Sequence, residues 1–335
     1  MQVTPLIELN RGGTTECLHF GAVAVVNTQG QLLAHAGDAH WRTFSRSTLK
    51  PLQALPFVKA QGPRALGFTS EQLALMCASH NGEDKHVTQV QAMLDKAGLD
   101  YRQLRCGCHV PLQFTHLNQP VPAGLSYDER HHNCSGKHAG FLACCVHQGW
   151  DSGSYLEPAH PLQIAVRRDV ARAMRMDEQD LAMGIDGCSA PNYAMPLSRL
   201  ALAYARLASG ARDSELGESF AQLGEAMTRH PDLVSGTGRN DLDFMRAGRG
   251  DWVSKVGADG VQVVGSKSRG EAFAIKILDG NKPALFAASV EVMAQLGWLD
   301  EAQREALRPW RAETLLSVRG APVGLRKTLF QLKPA

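Results

Sequence analysis

The sequence predicts an α+β fold in which one antiparallel sheet is assembled from both ends of the chain. Apolar runs of strand composition lie early, at residues 20–26 and 31–36, and again late, over 252–278. The segment between them has helical periodicity instead. We therefore expect residues 1–335 to form a single domain, with residues 1–60 plus 245–335 as the sheet region and 61–244 as a mainly helical insert.

The first predicted element is a β-hairpin. FGAVAVV at 20–26 is apolar and partly β-branched, NTQG at 27–30 is typical of a turn, and QLLAHA at 31–36 resumes the strand. A short helical stretch is expected next, carrying Ser47 and Lys50 and reaching about residue 59.

The middle of the chain is predicted to be mainly helical. Thr69 and Gln72 match a capping box that would begin a helix over 71–78. Apolar spacing predicts further helices at residues 87–97, 136–147, 162–174, 197–207 and 216–227. Three short strands separated by turns containing glycine then predict a meander, and a helix over 283–296 is expected after it.

Composition is that of an ordinary globular protein, with 44% hydrophobic and 20% charged residues. A net charge of +2 gives no indication of nucleic-acid or anionic-membrane binding. No basic region followed by an apolar run opens the chain and no apolar stretch reaches transmembrane length, so we expect a cytoplasmic protein. The eight cysteines are then expected as reduced thiols or metal ligands rather than disulfides.

Ser47 and Lys50 are the first candidate catalytic residues. Three residues apart on one helix face, a hydroxyl and an amine are placed so that the amine can deprotonate the hydroxyl. Pro51 biases Lys50 away from the α conformation, but a 3₁₀ turn would keep the pair together. The spacing alone is also compatible with a serine cap followed by a solvated lysine.

Two later segments could complete such a site. CASHNGE at 77–83 places Ser79 where a helix ends, which fits either a second hydroxyl in a cleft or an ordinary turn. Lys255 lies on a predicted strand two residues before Gly257, and the glycine would allow a close approach to the backbone. An exposed lysine on an edge strand is the competing interpretation.

Cysteine and histidine are dense at HHNCSGKH, residues 131–138, and GCSAP follows at 187–191. Such residues favour a soft metal, zinc first. No CxxC pair is present, however, so the spacing does not assemble a four-ligand structural site.

In this order the segments resemble the asparaginase II family, the rhizobial-type or class 3 L-asparaginases, and the likeness runs from about Thr4 to Leu332. It rests on RSTLKP at 46–51, CASHNGE at 77–83, NCSGKH at 133–138, GIDGC at 184–188, GTGR at 236–239 and KVGADG at 255–260. The resemblance implies hydrolysis of L-asparagine to L-aspartate and ammonia, in a fold similar to serine β-lactamases and glutaminases.

The resemblance also implies roles for particular residues. Ser47 with Lys50 and Ser79 with Lys255 would form two Ser–Lys tandems, in which Ser47 forms an acyl-enzyme and Lys50 is kept neutral by burial and the Lys255 charge. Ser79 would relay a proton to the leaving ammonia. No organic cofactor is expected.

The same likeness implies a zinc site, and further residues are candidates for substrate contacts. Cys134, Lys137 and Cys188 would hold zinc, with water as fourth ligand, near the catalytic centre. Substrate contacts are expected from four further residues: Arg46, Asn133, His138 and Asp186.

Two other functions remain open at this point. One is a β-lactam hydrolase or peptidase with the same Ser–Lys apparatus, and the other is a non-catalytic zinc-dependent binding protein. A homodimer is the expected assembly, since symmetric dimers are the commonest.

Overall fold

The computed structural model describes residues 2–311 and 313–335. Within them, the main element is an antiparallel sheet of nine strands of different lengths. Seven of its strands have the order β10-β11-β1-β2-β9-β8-β7, while β3 pairs with β2 and with β12. Strands from the start of the chain pair directly with strands from its last third, as β2 lies against β9 from Gly21 opposite Ile277 to Asn27 opposite Glu271. The predicted α+β fold, with one sheet built from both chain ends, is confirmed.

The strands in chain order are β1 Thr4–Arg11, β2 Thr14–Asn27, β3 Leu32–Ala36, β4 Arg42–Phe44, β5 Ala182–Ile185, β6 Pro191–Pro196, β7 Trp252–Gly257, β8 Val261–Ser266, β9 Glu271–Ile277, β10 Thr314–Leu316, β11 Pro322–Thr328 and β12 Lys333–Pro334. The predicted hairpin is present in β2 and β3. Its turn is held by Asn27, whose Oδ1 accepts the backbone N–H groups of Gln29 and Gln31, each at 3.0 Å.

The central strands are buried on both faces. Along β2, Ala22, Ala24 and Val26 belong to the core formed with the inserted helices, whereas Val23 and Val25 belong to a second core on the opposite face. A strand covered on both sides has no polar face, which explains why its sequence is a continuous apolar run rather than an alternation.

The α-helices are α1 Lys50–Gln53, α2 Leu55–Lys59, α3 Gly62–Ala65, α4 Ser70–Met76, α5 Asp84–Lys96, α6 Gln113–His116, α7 Ser135–Gln148, α8 Pro161–Met174, α9 Leu197–Ser209, α10 Gly217–Arg229, α11 Pro231–Val234, α12 Asn240–Ala247, α13 Lys282–Gln295 and α14 Glu301–Arg311. The predicted capping box of Thr69 and Gln72 begins α4. Gly149, at φ 68°, ends α7 in the left-handed conformation that glycine favours.

Several elements were not predicted. Strands β1 and β10–β12, helix α14 and a separate three-stranded sheet of order β4-β6-β5 were all missed. That small sheet joins residue 42 of the early chain to residues 182–196 of the insert, and its strands are too short for periodicity to reveal. Among the described residues, no helix is long and apolar enough to cross a membrane.

Candidate active site

Ser47 lies in a 3₁₀ turn, Arg46–Leu49, that leads directly into α1. The 3₁₀ turn was predicted, but the expected effect of Pro51 was wrong. Lys50 is helical at φ −56° and ψ −41°, because Pro51 occupies the first turn of α1, where no backbone donor is needed. Ser47 is half-buried, and within residues 2–311 and 313–335 its hydroxyl has no hydrogen-bond partner.

Arg46, immediately before Ser47, is in the left-handed region at φ 50°. Asn192 on β6 holds it there, since its Oδ1 accepts from Arg46 N–H and its Nδ2 donates to the Arg46 carbonyl, both at 3.0 Å. A non-glycine residue in this conformation is unfavourable unless its surroundings fix it. The turn that presents Ser47 is therefore anchored on the small sheet.

Strand β7 packs against the same turn at Gly257. A Cβ added there would lie 2.9 Å from the Ser45 carbonyl oxygen and 3.3 Å from both Arg46 Cβ and Thr48 Cγ2. The predicted close approach at Gly257 exists, but the partner is the Ser47 turn. Absence of a side chain lets the strand carrying Lys255 lie directly beside Ser47.

The Lys50 amine is almost fully buried and faces Ser79. Its Nζ donates to Ser79 Oγ at 2.9 Å, to the Asn133 carbonyl at 3.3 Å and to the Ala78 carbonyl. All three acceptors are neutral. Sequence reasoning paired Lys50 with Ser47 and Lys255 with Ser79, whereas the hydrogen bond in the structure joins Lys50 to Ser79.

The Lys255 amine has a different partner, Asp241 at the start of α12. Nζ lies 3.3 Å from Asp241 Oδ2, and both side chains are completely buried. Burial lowers the pKa of Lys255 to about 8, against the opposing effect of Asp241 and with smaller contributions from the charges of Lys50 and Arg239.

Asp241 itself is held by a dense set of donors. Its carboxylate accepts from Ser254 Oγ at 2.8 Å, Val256 N–H at 2.9 Å and Gln262 Nε2 at 3.2 Å. Burial acts to raise the pKa of Asp241, but the Lys255 charge and these donors outweigh it, and the pKa is lowered. Asp241 is an ionised carboxylate, fixed in place beneath Lys255.

Ser47 and Ser79 both line one cavity of about 170 Å³. Asn133 forms part of its wall, and Phe286 and Trp310, with ring centroids 5.2 Å apart, form another part. The volume is below the roughly 300–1,000 Å³ of pockets for drug-sized ligands and suits a small metabolite. A larger groove of about 640 Å³ contains none of the predicted site residues.

The predicted metal ligands lie together beside this site. Lys137 Nζ is 2.9 Å from Cys188 Sγ, and the Cys134 thiol donates to Asn133 Oδ1 at 3.7 Å. The neighbouring Cys134 thiol and the Lys137 charge lower the pKa of Cys188, and burial opposes this shift. Burial acts against charge on Lys137, but Cys188 and Cys134 outweigh it and raise the pKa of the Lys137 amine.

This donor set fits a soft cation. Two sulfurs and a nitrogen converge in a buried site, as zinc prefers, although Lys137 must lose a proton to become a ligand. In the part of the chain that the structure describes, no three His, Cys, Asp or Glu side chains are grouped to hold a metal. A metal ion bound by Cys134 and Cys188 would therefore need Lys137 as its third protein ligand.

The predicted substrate contacts are divided between regions. Asn133 lines the cavity. Arg46 Nε donates to Asp186 Oδ1 at 2.9 Å, so these two side chains pair with each other. His138 is buried, with Nδ1 2.7 Å from the Tyr155 hydroxyl oxygen, and it lies near Cys188 rather than on the cavity wall.

Several site residues were missed from sequence. Arg239 stands in the GTGR segment, but no role was assigned to it. Asp241 and Asn240 follow directly and could have been suspected as polar residues at a helix start. No local sequence pattern marks Lys282, Phe286 and Trp310 as site residues, because only the folded chain brings α13 and α14 to the cavity.

Comparison with known families identifies the chain. A model of the L-asparaginase II family matches residues 7–327, nearly the whole sequence. The chain therefore belongs to the L-asparaginase II family, and it is an amidohydrolase acting on asparagine. This confirms the resemblance drawn from the motifs.

Two solved structures are distantly similar to the chain. A β-lactamase from Mycobacterium bovis is 16% identical, with 82% of this chain and 94% of that chain covered at a TM-score of 0.42. A protein called Mglu is 14% identical, with 88% of this chain and 66% of that chain covered at a TM-score of 0.31. A search of curated protein sequences finds no match.

Proposed function

We propose that this protein is an L-asparaginase that hydrolyses the side-chain amide of L-asparagine through an acyl-enzyme on Ser47. The observation that carries the proposal is the small cavity lined by Ser47 and Ser79. Lys50 is hydrogen-bonded to Ser79, and Lys255 is buried on the adjoining strand β7. Family membership supplies the reaction class, and the cavity supplies candidate groups for each step.

Ser47 is the proposed nucleophile because its hydroxyl faces the cavity and its lone pairs are not engaged by any described donor. The Ser79 oxygen, by contrast, already accepts from Lys50. Ser47 attacks the side-chain carbonyl carbon, a C–O bond forms, and the oxyanion that develops requires nearby N–H donors.

Proton transfer is assigned to the lysines and Ser79. Lys50 is assigned as the base because its hydrogen bonds go to neutral acceptors, whereas Lys255 is paired with Asp241. Lys50, one turn from Ser47, takes the Ser47 proton. Ser79, which is hydrogen-bonded to the same amine, passes a proton to the departing nitrogen. The C–N bond breaks, ammonia leaves, and water then hydrolyses the ester to give aspartate and free Ser47.

Zinc is proposed as the metal of the Cys134, Lys137 and Cys188 trio. When bound, it would supply a fixed positive charge that orients a polar end of the substrate. The protein's own contribution is to hold the trio next to the reacting groups, since Asn133, whose carbonyl accepts from Lys50, directly precedes Cys134.

The decisive experiment measures ammonia release from L-asparagine by wild type and by Ser47→Ala. We expect the variant to lose about 1,000-fold or more in kcat, because the covalent route is removed. L-glutamine and a chromogenic cephalosporin serve as comparison substrates. Turnover of the cephalosporin without ammonia release from L-asparagine, or full activity in Ser47→Ala, would contradict the proposal.

Metal analysis tests the zinc assignment separately. Cys134→Ala and Cys188→Ala proteins, purified beside wild type, should lose bound zinc, since each substitution removes one of three protein donors. Cys17→Ala is the matched control, because Cys17 is exposed on β2, outside the trio. Equal zinc content in wild type and both trio variants would remove the metal from the proposal.

A further inference from the structure

The cavity that holds the two serines has a wall of one charge sign. Arg239 and Lys282 both line it, and among the described lining residues there is no Asp or Glu. His116 is neutral at pH 7 and does not add to this positive charge, since burial and then the charges of Arg239 and Lys282 lower its pKa to about 4. The wall is thus suited to a ligand that carries an anionic group.

Arg239 is a buried guanidinium without an acidic partner in the described part of the chain. Its side chain is almost fully buried, and its Nη1 donates a hydrogen bond to the neutral Asn81 Oδ1 at 3.1 Å. Burial lowers the pKa of Arg239, with Asp241 acting against the shift, yet a guanidinium remains charged at neutral pH. A buried charge without a counter-ion is costly, which favours binding of an anion at this position.

The loop that presents Arg239 is built to hold it. Gly236 has φ 109°, and Thr237 N–H donates to Glu83 Oε1 at 2.7 Å. Asn81 Nδ2 donates to the Thr237 carbonyl at 2.9 Å while its Oδ1 accepts from Arg239. Asn81 and Glu83 of the CASHNGE segment therefore fix the GTGR loop and aim its arginine.

We infer that Arg239, assisted by Lys282, binds the α-carboxylate of the substrate. This rests on the proposed function and makes it more specific. The side-chain amide is then left to reach the serines, and the site selects L-asparagine over amides that lack the carboxylate.

A pair of substrates tests the inference on wild-type protein, where no variant can fail to fold. Ammonia release is measured for L-asparagine and for 3-aminopropanamide, which lacks the carboxylate. We expect kcat/KM to fall about 10- to 100-fold for 3-aminopropanamide, as for loss of a hydrogen bond to a charged group. Equal kcat/KM for the two substrates would overturn the carboxylate assignment.

Arg239→Gln assigns the loss to a residue. It should lower kcat/KM for L-asparagine by a similar factor, mainly through KM, but have little effect on 3-aminopropanamide, whose missing group is the one Arg239 binds. Arg239→Lys should restore part of the loss, and the exposed Lys282→Gln should give a smaller loss of the same selectivity. Arg249→Gln, on an exposed arginine paired with Asp300, is the control. Equal losses for both substrates would make Arg239 merely structural.

The carboxylate could also be that of a peptide ending in asparagine. Glycyl-asparagine separates the two sources, because it keeps the carboxylate but carries a glycyl group on the asparagine nitrogen. We expect poor turnover of this dipeptide, since a cavity of about 170 Å³ leaves little room for the added residue, and turnover equal to L-asparagine would contradict selection of the free amino acid. If wild type releases no ammonia from L-asparagine, the proposed function itself fails; if it does and Arg239→Gln leaves KM unchanged, only the present inference fails.

Discussion

The two buried lysines have opposite kinds of surroundings. Lys50 donates to two carbonyl oxygens and the Ser79 hydroxyl, all neutral, whereas Lys255 is paired with the ionised, completely buried Asp241. The hydrogen bonds of Lys50 therefore involve no carboxylate. Loss of the Lys255 proton would leave Asp241 as an uncompensated charge, which is strongly unfavourable.

In the proposed mechanism this difference assigns the two amines different roles. Lys50 would exchange a proton with Ser47 and Ser79, and Lys255, with a pKa of about 8, would remain a cation at neutral pH. The assignment rests on one carboxylate, that of Asp241. The predictions below test this division.

Lys50→Met should abolish activity while leaving most of the stability. The substitution removes the proposed base, so we expect kcat to fall about 1,000-fold or more. The fold should lose only about 1–3 kcal/mol, for hydrogen bonds to neutral acceptors. Steady-state kinetics and urea unfolding measure the two effects, and an active Lys50→Met protein would break the assignment.

Lys255→Met should have the larger effect on stability. It leaves Asp241 buried and unpaired, which costs about 3–5 kcal/mol. The matched test is the double variant Lys255→Met with Asp241→Asn, which removes both charges and should be more stable than Lys255→Met alone. Equal unfolding free energies for the single and double variants would show that the ion pair does not matter.

Asp241→Asn should move the pH dependence of the reaction. Asp241 favours the charged amine, so its removal lowers the pKa of Lys255 below about 8, by about one unit or more. The limb of the pH profile of kcat/KM that this amine governs should then shift to lower pH. A limb that falls with rising pH identifies Lys255 as the working cation, and Asp300→Asn, at an exposed site, is the control.

The elements that could be predicted are those whose own sequence determines them. Helix α7 and strand β7 have clear periodicity or composition and clear ends, and the structure reproduces them closely. Strands β4, β5 and β11 could not be found, since a strand of a few half-exposed residues is stabilised by its partner rather than by its own pattern.

Prediction of the site followed the same division. Ser47 and Lys50 could be named because their spacing is recognisable, and Ser79 was named from the family resemblance. Contacts between segments could not be predicted, so the hydrogen bond from Lys50 to Ser79 was not foreseen. Asp241 was missed because its function depends on Lys255, a residue on a different element that packs beside it only in the folded chain.

The pairing of β2 with β9 also has a consequence for when the protein becomes active during its synthesis. Ser47 follows β2 and β3, while Lys255 belongs to the meander that ends with β9, so the sheet must join residues 21–27 to 271–277 before the two meet. Such long-range pairing forms late and slowly. A nascent chain on the ribosome therefore cannot form a complete catalytic site until most of its length has emerged, even if its helical insert has already folded.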